Sequence, residues 1–284
     1  MGLLGWRSDW TNMSALRLFM VSAAFASLAM PVAFAQPKDL TIFILAGQSN
    51  MSGRGKLPVP KEFDGVKEIW NYANSGRWEE AREPLDDPTG QVDRVSIDEV
   101  PGIGPGLAFA VRMRHLSGKS IGLIQCAKGA SSMEMWRTGG GRETLYGSCI
   151  SRAKEASRHG RIAGILWYQG ESDAFSEKAA QDWNTNFVKL AEKFRQDLAA
   201  PKVPIVYAQL GQLSKERRAL ASFAYWDAVK KAQANVSIPN SAMIPAEKFE
   251  LSSDGIHLST KGFLMIGRKF ADVMHSLMQG HKQP

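Results

Sequence analysis

Ser49, Asp254 and His257 are the residues of this chain whose types and settings best fit nucleophilic chemistry. Ser49 follows a short apolar run, Ile42 to Ala46, and stands among small and polar residues in Gly47-Gln48-Ser49-Asn50-Met51-Ser52-Gly53. A serine just past a buried strand is lifted into a loop, where a base can reach its hydroxyl. It needs that base, because a free hydroxyl is almost wholly protonated at neutral pH. Five histidines are available. His115 and His159 fall in or just after expected helices, His275 lies on the last helix and His281 in the C-terminal tail. Only His257 precedes a helix in a glycine-containing loop. Asp254 lies three residues before it, in Asp254-Gly255-Ile256-His257. Across a tight turn its carboxylate can meet the far ring nitrogen, fix the tautomer and stabilise the imidazolium formed on attack. Glu171, next to Gly170 at another strand end, is the rival acid. It could face the histidine or hold a substrate hydroxyl.

Acyl transfer also needs donors for a developing oxyanion, worth about 3–4 kcal/mol for one side-chain donor. The candidates are the backbone N–H of Ser49, a glycine N–H at Gly129 or Gly104, and the side-chain amide of Gln169. Gln48, beside the nucleophile, joins them as a substrate-side residue. Trp136 and Trp167 flank two of the loops involved. Either could stack on a sugar ring, with Trp136 taken as the substrate-side candidate; for Trp167 core packing fits at least as well. Gly102-Ile103-Gly104-Pro105-Gly106 fails as a dinucleotide loop, since no strong strand precedes it and the third glycine is misplaced. Gly104-Pro105 reads instead as a helix start. The sequence has no Cys-x-x-Cys or His-Glu-x-x-His spacing, so neither a metal nor another cofactor is expected.

These residues need a frame that gathers strand ends. Strands are expected at 42–46, 120–125, 162–168, 204–210 and 241–245, with a short one near Glu68–Tyr72. Helices are expected at 105–116, 143–159, 176–199, 217–235 and 259–279. The helix over 176–199 is the clearest: Trp183, Phe187, Leu190, Ala191, Phe194 and Leu198 recur on one face. Alternating strands and helices imply an α/β fold, three layers deep, with a central parallel sheet wrapped on both faces. Ligands of such sheets sit outside the carboxyl ends of the strands, so four loops should converge there: 47–50, 126–132, 169–173 and the Asp254–His257 turn. Residues 52–103 break the alternation. This long insertion, with its acidic stretch Glu79, Glu80, Glu83, Asp86 and Asp87, should lie over the same edge and shape the site.

The chain has 284 residues, 44% of them hydrophobic and 22% charged, with net charge +7. That is enough for one large domain with a full core. The positive excess is scattered, so it reads as solvated surface and no nucleic-acid partner is expected. Arg17, the apolar stretch Leu18 to Met30 and Ala33-Phe34-Ala35 read as a signal peptide over residues 1–35, with Met13 as an alternative start. The expected domain is then 36–284, secreted or periplasmic, with no membrane partner after cleavage. The apolar core is shorter than the ~20 residues of a spanning helix. Cys126 and Cys149 could be joined in an exported protein, or Cys126 could be a plain buried thiol. Spacing leaves both open, as it does the oligomeric state.

Taken together, Gly47-Gln48-Ser49-Asn50-Met51, Gly102-Ile103-Gly104-Pro105-Gly106, Trp167-Tyr168-Gln169-Gly170-Glu171-Ser172 and Asp254-Gly255-Ile256-His257-Leu258 resemble the sialate O-acetylesterase-like branch of the SGNH hydrolases, which includes the acetyl xylan esterases of carbohydrate esterase family 6. The resemblance runs over roughly 40–275 in matching order. It implies a flavodoxin-like fold and the removal of acetyl groups from an acetylated carbohydrate. It implies Ser49 as nucleophile, His257 as base and Gln169 on the oxyanion side, with either Asp254 or Glu171 as third member. Gly47-Gln48-Ser49 departs from the Gly-Asp-Ser of the wider superfamily, and Gln169 replaces its usual asparagine; both departures are normal in this branch. Two other readings carry different expectations. A lipase or thioesterase of similar fold would need an apolar groove for longer acyl chains. A carbohydrate-binding protein without turnover would not need an intact Ser49, His257 and Asp254.

Overall fold

The computed structural model describes residues 36–63 and 65–280. The expected signal peptide and His281 therefore lie outside the described residues. The described chain runs β1 (Leu40–Gly47), α1 (Ser49–Ser52), β2 (Ile69–Tyr72), β3 (Trp78–Glu80), α2 (Gly106–Ser117), β4 (Ile121–Gln125), α3 (Leu145–Ala156), β5 (Gly160–Tyr168), α4 (Glu177–Asp197), β6 (Ile205–Gln209), α5 (Lys215–Arg218), α6 (Trp226–Ala234), β7 (Ser241–Pro245) and α7 (Thr260–Met278), with short 3-10 turns between. Among these helices none is long and apolar enough to cross a membrane.

The sheet order is β3-β2-β4-β1-β5-β6-β7. All neighbours are parallel except β2 and β3, which are antiparallel. The two strands of the insertion, β2 and β3, extend the edge beside β4. The remaining five, ranked by chain order, read 2-1-3-4-5, the flavodoxin-like arrangement whose switch point lies between the first strand and the third. Here that is the gap between β1 and β5. All eight residues of β1 are buried, as a parallel strand covered on both faces requires. Phe43 packs edge-on against Phe109 of α2 at 4.8 Å, and α2 packs on α7. Toward α4, Trp167 meets Phe187 at 5.5 Å, and Phe187 stacks on Trp183 at 4.9 Å. The chain is thus a three-layer α/β/α protein.

Two departures from the expected elements bear on the site. The helix expected over 217–235 is broken into α5, a 3-10 turn at Ala221–Phe223, and α6. The Ser214 hydroxyl caps α5 by accepting the Arg217 N–H, and the Tyr225 N–H leaves the helical ladder to reach Ala174 O at 3.1 Å. The break turns Phe223 inward, against Phe175 at 5.1 Å and Trp226 at 5.8 Å. The insertion follows expectation at its two ends, where Arg54, Asp98, Glu99 and Val100 line the cleft at Ser49, but its middle departs from it. Its acidic stretch builds structure at the far edge and does not border the cleft at Ser49. Glu79 and Glu80 lie on β3. Asp86 is buried and accepts from the Asn74 amide at 2.9 Å. Glu83 accepts the Leu85 N–H at 3.0 Å through Oε2, while Oε1 is shut from water and unpartnered. Burial pushes the Glu83 carboxyl up to about 8, against the pull of the Leu85, Gly104 and Leu107 N–H groups.

Cys126, at the end of β4, is bridged to Cys149 on α3, with Cα atoms 5.3 Å apart. The bridge anchors the start of the 127–136 loop.

Candidate active site

β1 ends at Gly47, whose φ of +133° puts the backbone where a side chain does not fit. A Cβ there would stand 2.1 Å from Tyr168 O of β5. The close approach lets Gln48 N–H bond to Tyr168 O at 2.8 Å, and Gly47 O accept from Lys128 N–H at 3.0 Å and from the Ser131 hydroxyl at 3.2 Å. Gln48 then begins the single turn of α1, accepting the N–H groups of Met51 and Ser52. Ser49 is the first residue of that turn, and its own N–H has no acceptor among the described residues.

The opposing turn is shaped by Asp254. Its Oδ1 accepts the N–H of Ile256 at 3.0 Å and of His257 at 2.9 Å, a side-chain-closed turn of the kind aspartate favours. Gly255 holds φ +76°, and a Cβ there would stand 2.3 Å from Ser214 Oγ. The turn thus docks tightly on the α5 segment, where Ser214 N–H reaches Gly255 O at 2.9 Å and Arg217 Nε reaches Asp254 O at 2.8 Å. A bridge between Leu251 and Leu258 closes the base of the turn. Ser259 then caps α7 by accepting the Gly262 N–H.

These two ends meet. His257 Nε2 lies 2.9 Å from Ser49 Oγ, and His257 Nδ1 lies 2.7 Å from Asp254 Oδ2. An ionised carboxylate only accepts, so Nδ1 carries the proton and Nε2 is left to accept from the serine. Asp254 stays ionised. Partial burial raises its carboxyl, but the N–H groups of Ile256 and His257, the imidazole and Ser252 outweigh that and hold it well below the usual range.

Glu171 is also present but makes no hydrogen bond to the imidazole. It is 2% exposed. Its Oε1 accepts from Asn50 Nδ2 at 2.6 Å, and its Oε2 is unpartnered. Burial pushes its carboxyl toward the neutral form, against the pull of the Asn50 amide. Asn50 is the link that composition and spacing do not single out. Its Nδ2 also reaches Ile256 O at 3.3 Å, and its Oδ1 accepts the Leu258 N–H at 3.1 Å. One amide therefore ties α1, the loop after β5 and the His257 turn together. Its only sequence signal is its place directly after Ser49.

The remaining candidates divide. Gln48 lines the cleft. Its Oε1 is held by Gln169 Nε2 at 3.3 Å and by the N–H groups of Gly170 and Ser172 at 3.4 Å. Its Nε2 has no acceptor among the described residues. Gln169 does not reach the cleft. It is fully buried, its Nε2 is shared among Gln48, Ser131 O at 3.0 Å and Asp173, and its Oε1 accepts from Trp183 Nε1 at 3.0 Å. It positions Gln48 and has no donor left for an oxyanion. Burial in turn pushes Asp173 up to about 6, against the Gln169 amide and the Met133 N–H. Gly129 borders the cleft, but its N–H is spent on Asp98 Oδ2 at 2.9 Å. Gly104 lies behind α1, and a Cβ on it would stand 3.0 Å from Ser52 O. Trp136 is wholly buried, with its indole N–H on Ser131 Oγ at 2.9 Å and its ring 5.2 Å from Trp167, so it cannot stack on a ligand. A residue pair absent from the expected set, Arg54 and Asp98, braces the cleft wall through contacts of 2.8 Å, with Asp98 also accepting from Ser52 at 2.8 Å.

The cleft over Ser49 and His257 holds about 540 Å³. Among the described residues no group of three His, Cys, Asp or Glu side chains is placed to hold a metal ion.

The comparisons with known proteins agree with one another. A family model described as carbohydrate esterase, sialic acid-specific acetylesterase, matches residues 39–276. The probable carbohydrate esterase At4g34215 of Arabidopsis thaliana is 32% identical over 247 residues, covering 81% of this chain and 88% of the relative. The crystal structure of the Arabidopsis thaliana protein AT4G34215 superposes with a TM-score of 0.74 at 30% identity, over 84% of this chain and 98% of that one. XAC1771, a carbohydrate acetylesterase from Xanthomonas citri, shares the fold at TM-score 0.65 and 18% identity, over 86% of this chain and 57% of that one. The chain belongs to the carbohydrate esterase family of sialic acid-specific acetylesterase type, and is a carboxylic ester hydrolase.

Proposed function

We propose that the protein removes O-acetyl groups from a carbohydrate through an acetyl-serine intermediate. The observation that carries this is the linked run Asp254–His257–Ser49, with contacts of 2.7 and 2.9 Å. Ser49 Oγ attacks the acetyl carbonyl carbon as its proton passes to His257 Nε2. The imidazolium is stabilised by Asp254 and then returns the proton to the departing sugar oxygen. Water next gives its proton to His257 and attacks the acetyl-serine; the C–O bond to Ser49 breaks, His257 returns the proton to Ser49 Oγ, and acetate leaves. The oxyanion is held by the Ser49 N–H, with the Gln48 amide beside it. Glu171 acts as a positioning residue: through Asn50 it sets the His257 turn against α1. The chain acts outside the cytoplasm, a reading supported by the leader pattern of residues 1–35 and by the bridge between Cys126 and Cys149.

Replacing Ser49 with Ala is expected to abolish p-nitrophenol release from its acetate ester without lowering the melting temperature. Persistent turnover would remove Ser49 from the mechanism. Acetate release from acetylated xylan and from O-acetylated sialic acid, compared at equal ester concentration, decides between the two substrate types.

A further inference from the structure

Phe175 ends the 3-10 turn that begins with Glu171, and it lines the same cleft as Ser49 and His257. It is 53% exposed, the one aromatic among the exposed large apolar side chains of the described residues. It is nonetheless held in place. Its ring packs edge-on against the buried Phe223, itself braced by Trp226. The Tyr225 N–H bond to Ala174 O locks the Phe223 segment to the residue just before Phe175. This is the purpose served by the break in the expected 217–235 helix. Val100, 65% exposed, and Ile256 continue the apolar rim. Phe175 is the one Phe, Tyr or Trp side chain among the described residues lining the cleft, and both tryptophans expected nearby are buried.

The cleft is larger than the reaction needs. At ~30 Å³ per water, a three-atom acetyl group displaces only about 90 Å³. Most of the cleft is therefore left for the alcohol part of the ester. Lys128, Glu99 and Arg217 also line it, so an apolar rim stands among polar groups. That mixture suits a pyranose ring, whose C–H faces are apolar and whose edges carry hydroxyls.

We propose that Phe175 is the platform on which the substrate's sugar ring rests while its acetyl ester reaches Ser49. The inference rests on the carbohydrate reading above. The ring's axial hydrogens meet the negative face of the phenyl group, and binding there orients the ester without touching the reacting atoms.

The test compares wild type, Phe175→Ala and Phe175→Trp on xylose tetra-acetate and on ethyl acetate, following acetate release in a pH-stat. An aromatic contact of this size predicts that Phe175→Ala raises KM for the sugar ester about fivefold to tenfold with kcat within about twofold. Phe175→Trp should restore KM, and ethyl acetate, which has no ring to stack, should be turned over equally by all three. An unchanged KM in Phe175→Ala overturns the platform. So does a variant whose preference between ethyl acetate and ethyl hexanoate shifts while KM for the sugar ester stays put, because the rim would then hold an acyl chain. A wild-type protein that cleaves ethyl acetate but neither xylose tetra-acetate nor O-acetylated sialic acid would overturn the carbohydrate reading itself, and the platform with it.

Discussion

Replacing Asp254 by Asn separates the two acids that compete for the role behind His257. Asparagine keeps an oxygen for the N–H groups of Ile256 and His257, so the turn should hold. It loses the charge, and it presents an NH2 group to Nδ1. The ring then moves its proton to Nε2, the atom that must accept from Ser49. The lost attraction can be sized from the geometry. With the imidazolium and carboxylate charges roughly 4 Å apart, it is about 1 kcal/mol in water and about 4 kcal/mol at an effective dielectric of 20. The side chains are 23% and 38% exposed, so screening places the value between these, near 2–3 kcal/mol. Adding the wrong tautomer, kcat on p-nitrophenyl acetate should fall at least about a hundredfold. Glu171→Gln keeps an acceptor for Asn50 and replaces a carboxyl that burial already pushes toward neutrality, so its kcat should stay within about threefold of wild type. The reverse order, with Glu171→Gln crippled and Asp254→Asn nearly intact, would refute this assignment of roles.

Two further outcomes follow from the frame. Replacing both Cys126 and Cys149 by Ala should cost about 3 kcal/mol for a loop of this length and lower the melting temperature by about 6–12 °C in a domain of this size; an unchanged calorimetric transition would show that the bridge holds nothing the fold lacks. Glu83 in the folded chain keeps a proton up to about 8, against an ordinary value of 4.5. The folded state therefore binds more protons than the unfolded one between those values, and stability falls as pH rises through that window, by at most about 1.4 kcal/mol per unit. Glu83→Gln stays neutral, so its urea midpoint should gain on wild type from pH 5 to 8 and run parallel above that. Midpoints parallel throughout would sink the claim.

The frame was legible where its physics is local. The run Ile42–Ala46 and the stripe from Trp183 to Leu198 carry their own periodicity, and the observed β1 and α4 lie within a few residues of those bounds. Ser49, His257 and Asp254, which the structure brings into contact, could be picked out because nucleophilic chemistry restricts residue type and setting. What sequence could not supply is direction. Gln169 and Trp136 have the right chemistry for a cleft, yet both point into the core, where Trp183 and Ser131 take up their polar atoms. Nothing along the chain signals that choice. The broken helix at 217–235 was hidden for a related reason: the segment lacks glycine and proline, and the break is tied to distant partners, the Tyr225 N–H on Ala174 O and Phe223 under Phe175. Strand β3 has three residues, too short to show a period.

Asn50 has a consequence for when the protein becomes active during folding. Its amide spans a sequence gap of more than two hundred residues to Ile256 and Leu258 of the His257 turn, alongside the direct contact of His257 with Ser49. An N-terminal fragment ending before that turn, whether truncated or still being synthesised, holds a serine with no base and a loop with no anchor. The site can therefore close only after the chain has been made past His257 and the turn has docked beside Ser49.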